Sequence, residues 1–393
     1  MFFEERGGNV SGALENIRVL DLSRVLAGPY CTMILGDLGA EVIKVEGPGG
    51  SDDTRKWGPP FKNGVSAYYL SANRNKKAIT VDLKSAEGVD IIKKLVSESD
   101  VIIHNFKTGT MERFGLDYAS LEAINPGIVY CSITGFGETG PDRHVPGYDF
   151  IIQAMSGLMS ITGTDQSGPQ KSGVAITDVL TGLYACIGIQ AALVERAQSG
   201  KGQKIDISLY DSAVSSLVNI GSNYLMEGKI PKALGNEHAN IVPYQTFRTA
   251  DGEMVIAVGN DHQFRALCTV LNVPQYADDK RFLTNPDRVL HRQELVPLLQ
   301  KEFLREPTAY WYEKCREENI PAGPIQNLEA VVNDAQLQAR NMFIEHEHPT
   351  AGTIKMIGSP LKLSRTPVAM RRHPPSPGEH NDEIIGNLFE KNK

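Results

Sequence analysis

Through the first 210 residues, short runs of β-branched and aliphatic side chains alternate with longer stretches of helical periodicity, the pattern of βαβ units around a mostly parallel sheet. The spacing predicts strands over Ile17–Ser23, Glu41–Glu46, Ala78–Leu83, Val101–Phe106, Ile128–Thr134 and Lys204–Leu209. Between the first two lies GPYCTMILGDLGA, with Pro29 suited to a first helical turn and Gly39 to a helix end. From about residue 225 the pattern changes. YQTFRTADGEMVIAVG reads as a hairpin turning at Asp251-Gly252, and helical periodicity follows around His262–Leu271, Arg292–Phe303 and Thr308–Asn319. The tail returns to a strand pair, FIEHEHPTAGTIKMI, and then to SRTPVAMRRHPPSPGEH, too rich in proline for regular structure.

At 393 residues the chain exceeds the size at which one core stops growing, so two domains are expected. Lys plus Arg total 40 against 47 for Asp plus Glu. That balance leaves no basic footprint for nucleic acid or an anionic membrane surface, so any phosphate recognition has to be local. Cys31, Cys131, Cys186, Cys268 and Cys315 are odd in number, far apart and never in a CxxC pair. This argues against a disulfide framework and against a metal site, and fits a reducing cytoplasm. The start, MFFEERGGNVSG, is too charged for a signal peptide, and no segment reads as roughly 18 apolar residues of a membrane span. The expectation is a soluble cytoplasmic protein.

The chemistry concentrates in one place. In GVAITDVLTGLYACIGIQAAL, Asp178 is a single acid at the head of a long apolar helix rich in small residues. By pattern alone, the commoner role for such an acid is capping, because free N–H groups and the helix dipole favour a negative charge there. If the carboxylate faces a cleft, the dipole also keeps it ionised, as a nucleophile must be.

That helix is preceded by GYDFIIQAMSGLMSITG and followed by GKGQKIDISLYDSAV. Matching motifs run from VLDLSRVLAGP and LGAEVIKVE through NRNKKAITVDL, HNFKTGTMERFG and GFGETGP to NIPAGPI and GEHNDEI. Together they resemble the class III CoA-transferases, the family that includes formyl-CoA transferase and carnitine CoA-transferase.

The resemblance implies an α/β fold: a Rossmann-like parallel sheet in a large domain made of residues 1–224 and 326–393, a smaller α+β domain over 225–325, and an interlocked homodimer. Coenzyme A would move from an acyl-CoA donor to a small carboxylic acid through anhydride and thioester intermediates on Asp178. No permanent cofactor and no metal are implied, since the enzyme carboxylate conserves the thioester's energy. Val25, Leu26 and Ala27 would line the pantetheine and thioester. Asn73, Arg74 and Lys76 would reach the nucleotide end, with Asn105, Phe106 and Arg113 near adenine and phosphates. Phe136 would flank the nucleophile and Glu138 would serve as a second acid. Oxyanion donors would come from the Leu26–Ala27 turn or the loop at 235–238.

Two departures matter. Gly47 follows Glu46 where some members carry a basic residue, leaving Lys44 or Arg55 as substitutes, and Gly235-Asn236-Glu237-His238 stands where formyl-CoA transferase has a glycine run. Two other functions share these motifs. An α-methylacyl-CoA racemase would need a His where Tyr148 stands in Gly147-Tyr148-Asp149, with His144 as the only nearby substitute. A non-catalytic acyl-CoA binder needs no reactive carboxylate at all. His238, His262 and Arg265 are candidates for a second substrate carboxylate.

Overall fold

A computed structural model of the chain describes residues 12–390, so the opening stretch read above lies almost wholly outside the described residues. It divides into two compact units. The first holds the described residues up to Leu158, Lys171–Leu217 and everything from Gln336; the second holds Met159–Gln170 and Val218–Ala335.

In the first unit the elements follow in the order β1 (Arg18–Asp21), α1 (Ala27–Asp37), β2 (Glu41–Glu46), β3 (Lys76–Thr80), α2 (Ala86–Ser97), β4 (Val101–His104), β5 (Val129–Thr134), α3 (Asp149–Met155), α4 (Ile176–Ser199), β6 (Lys204–Ser208) and α5 (Leu209–Ser215). The six strands form one sheet in the order β3-β2-β1-β4-β5-β6, parallel throughout. Side chains alternate across it, as a pleated strand requires. Val19, Val42, Val101 and Val129 face α1 and α4, packing on Cys31, Leu35, Ala185 and Ile189. Leu20, Ile43, Ile79 and Ile102 face the other way, onto Ile91, Ile92 and Leu95 of α2. Both faces are covered, so the strands read as continuous apolar runs. The order reverses between β1 and β4, and the loops leaving these two strands open a crevice there.

The predicted strand at Ala78–Leu83 begins two residues earlier, at Lys76, because the buried Lys76 is neutralised inside the fold by Asp21. One helix does reach membrane-span length, against expectation: α4 has 24 residues, with a mean hydropathy of 1.5 over an 18-residue window. Its Gly182, Ala185 and Ala192 are buried on one face, where small side chains let it lie close against α1 and the sheet, as in the core of a globular unit. The five cysteines are free and buried.

The second unit pairs Tyr244–Arg248 with Glu253–Ala257 in the expected hairpin, and a third strand, Ala322–Pro324, adds to its edge. Helices at Asp261–Val270, Arg292–Phe303 and Thr308–Glu317 cover a core of Phe247, Ile256, Phe264, Leu299 and Trp311. The units meet at 217/218 and 335/336 in sequence, rather than at 224/225 and 325/326, and residues 159–170 join the second unit.

Candidate active site

Outside the carboxyl ends of β1, β4 and β5 lies a cavity of about 390 Å³. Val25, Leu26, Ala27, Asn105, Phe106 and Asp178 all line it. So do Arg24, Lys107 and Arg143, an excess of cations over the one further acid, Asp53, which lies 3.9 Å from Arg24, together with His144 and with Tyr148, which is 67% exposed. In a comparable hollow at the opposite strand ends, the charged lining residues Arg18, Glu41, Lys77, Glu98 and Glu383 are all paired with one another.

Asp178 is the third residue of α4 and does not cap it. The N-cap position is Ala175, which offers no side-chain acceptor. The cap comes instead from α3: Asp149 Oδ1 accepts from the Thr177 N–H at 2.9 Å and from its hydroxyl at 2.7 Å. Gln153 Nε2 donates to the other oxygen of Asp149 at 2.8 Å, and its own Oε1 accepts from the Ser172 N–H. With the helix start satisfied by a neighbour, the Asp178 carboxylate is left to the cavity.

Its electrostatics differ from expectation. Burial, and then the nearby Asp149, push the Asp178 carboxyl up to about 7, so desolvation outweighs the helix dipole. Tyr68 was not foreseen in the sequence. Burial, Asp178 and Asp149 raise its phenol to about 12, so it stays protonated and keeps its hydroxyl proton to donate. No local motif marks Tyr68, which sits on a short helix, Ala67–Ala72, within electrostatic range of Asp178 but outside the cavity lining.

Several residues expected to contact the ligand are engaged within the fold. Arg74 makes a bidentate pair with Asp37 at 2.9 and 2.6 Å. Asn73 bridges the Tyr69 carbonyl and Lys76 Nζ, and Lys76 also reaches Asp21 and the Pro29 carbonyl. All three are buried and none lines the cavity. Lys44 is paired with Asp52 and Arg55 with Glu46, so neither stands free as the substitute cation. Phe136 packs on the core against Tyr210. Glu138 is bonded to Lys204; burial is the largest single influence and works to raise its pKa, but the Lys204 bond and charge, with Ser132 and His104, together lower it. Arg113 is exposed beside Lys84 and Lys93 at a separate hollow. Among the described residues, then, the acid that acts on Asp178 is Asp149 rather than Glu138.

In the second unit, the loop at 235–238 uses three of its N–H groups internally: Gly235 to the Gly163 carbonyl, Glu237 to Leu234 and His238 to Tyr244. The start of α1 is different, for no side chain caps it at Leu26. Its N-terminal dipole faces the cavity that Leu26 and Ala27 line. Of the other candidates, Arg265 pairs with Asp278, and His238 accepts from the Asn240 N–H.

Known proteins match along nearly the whole chain. The model of CoA-transferase family III matches residues 14–381. The chain is 47% identical over 376 residues to a succinyl-CoA:glutarate CoA-transferase of Mus musculus, covering 96% of this chain and 86% of that protein. It is 45% identical over 381 residues to a succinate–glutarate CoA-transferase of Agrobacterium fabrum, covering 95% of each. A crystal structure of a CAIB/BAIF family protein from Brucella suis matches with a TM-score of 0.85 at 44% identity, covering 96% of this chain and 100% of that one. The chain belongs to CoA-transferase family III and is a CoA-transferase. The racemase and simple-binder readings find no support among these relatives.

Proposed function

We propose that this enzyme moves coenzyme A from a dicarboxylic acyl-CoA, with succinyl-CoA as donor, to a second small dicarboxylic acid such as glutarate, and that Asp178 is the carrier. The names of the relatives at 45–47% identity supply the substrate pair. The carrying observation is the position of Asp178: a partly buried carboxylate, relieved of capping by Asp149, in a cationic cavity at the sheet's switch point.

The carboxylate attacks the donor thioester carbonyl, the C–S bond breaks, and an acyl-aspartyl anhydride forms with free CoA thiolate. The thiolate attacks the aspartyl carbonyl and expels the donor acid, leaving Asp178 as a CoA thioester. The acceptor carboxylate then displaces the thiolate, forming a second anhydride. Thiolate attack on the acceptor's acyl carbonyl regenerates Asp178 and releases the new acyl-CoA. Each tetrahedral intermediate places negative charge on oxygen, which the uncapped N–H groups at the head of α1 and the Tyr68 hydroxyl would stabilise. Arg24, Lys107 and Arg143 draw anionic substrates into the cavity. The enzyme works as an interlocked homodimer.

The test is intact-mass analysis after incubation with succinyl-CoA alone. A gain equal to CoA less one water, removed by hydroxylamine and absent in Asp178→Ala, is the expected result. Retention of transfer activity by Asp178→Ala would refute the mechanism.

A further inference from the structure

The loops leaving β1 and β4 are joined at the switch point by one side chain. Asn105 Oδ1 accepts from the Arg24 main-chain N–H at 2.9 Å, and its Nδ2 donates to the Arg24 carbonyl at 2.7 Å. The next residue, Val25, has φ of 71°, in the left-handed region. For a β-branched residue that conformation is strained, and it persists only where the surroundings over-determine it.

The surroundings do so here. The Val25 N–H reaches Asp52 Oδ1 at 3.2 Å. The other oxygen of Asp52 accepts from the buried Lys44 at 2.8 Å, and Lys44 also donates to the Ser23 carbonyl at 3.0 Å. Asp21 holds Ser23 by its N–H and hydroxyl, and Thr32 by its hydroxyl at 2.6 Å. Gly28 completes the turn, because a Cβ there would come within 2.3 Å of the Ser23 side chain. Residues 23–25 are thus fixed from several elements. The left-handed step at Val25 turns the chain sharply into α1, which brings Leu26 and Ala27 to the cavity wall.

We infer that Asn105 is a positioning residue for CoA transfer: it holds Val25 left-handed, and so sets the Leu26–Ala27 main chain against the reacting thioester, rather than contacting coenzyme A. The inference rests on the proposed reading of this cavity as the transfer site. The Asp178 adduct tests that reading. Coupling between positions 105 and 25 tests the clamp, so the two can fail separately.

The experiment measures kcat and KM for acyl-CoA on the full-length enzyme. Asn105→Ala is expected to lower kcat about tenfold or more while KM moves less than about threefold, since misplaced catalytic groups act on the transition state. Val25→Gly supplies the second background, because glycine adopts positive φ without steric cost. There the same Asn105→Ala change is expected to lower kcat less than about threefold, as residues acting through one turn are non-additive. Asn105→Asp keeps the acceptor for the Arg24 N–H but sets an oxygen against its carbonyl; it provides the same comparison if the alanine variant does not fold. A raised KM at unchanged kcat, or an equal loss in both backgrounds, overturns the inference.

Discussion

As the proposed nucleophile, Asp178 would have to lose a proton before attacking, and its surroundings make that loss harder. With the carboxyl raised to about 7, first by burial and then by Asp149, the reactive form predominates only above that pH. As pH falls through 7 the side chain is protonated, so kcat/KM for acyl-CoA should fall about tenfold per pH unit on the acid side. Asp149→Asn removes the neighbouring charge while retaining an acceptor for the Thr177 N–H. Its acid limb should move to lower pH, without reaching the ordinary aspartate value of 3.8, because burial remains the larger cause. A limb that stays in place in Asp149→Asn would exclude Asp149 as the source of this tuning. The location of Asp178 was legible in the sequence, since an acid opening an apolar helix is a local pattern. Its electrostatic state was not. The cap that displaces it comes from 28 residues upstream, and helix periodicity carries no trace of such a partner.

At the level of elements, the site depends on how closely α1 and α4 approach. Gly182 lies where the two helices touch, and a Cβ there would stand 2.7 Å from the Ala27 carbonyl oxygen and 3.2 Å from the Tyr30 ring. The first of these is backbone, which no side-chain rotation can relieve. Gly182→Ala should gain up to about 1 kcal/mol of helix propensity. Overpacking should cost about 1–3 kcal/mol, leaving a net loss. Because Ala27 lines the cavity, kcat should fall with the melting temperature. Gly188→Ala on the same helix is the control, since its Cβ meets only the Ile205 side chain, at 3.3 Å. Equal effects at both positions would show that the close approach is not what matters. The strands that carry these helices were readable because their apolar runs are continuous. Lys76, which the resemblance assigns to the nucleotide end, is buried against Asp21, 55 residues earlier, a partner that its turn-rich local sequence does not reveal.

At the scale of the whole molecule, the division into two units could be read in outline from the change of periodicity near residue 225. The assignment of residues 159–170 could not, because nothing in their composition announces the bond between the Gly235 N–H and the Gly163 carbonyl. The proposed homodimer gains a physical reason from α4. While Ala185, Cys186, Ile189 and Ala192 face the core, Leu183, Ile187 and Val194 form a stripe on the opposite side and are 40, 61 and 64% exposed. An exposed apolar stripe of this kind is what the proposed dimer would cover with a second copy of the chain. Sedimentation equilibrium should therefore give twice the chain mass for the wild type. Ile187→Glu places an unpaired charge in that surface, at a cost of about 3–5 kcal/mol. The dimer dissociation constant should rise at least about 100-fold, so that monomer appears at micromolar concentration. If the variant sediments as a dimer with an unchanged constant, this stripe is not the interface; if the wild type is a monomer, the dimer itself is excluded.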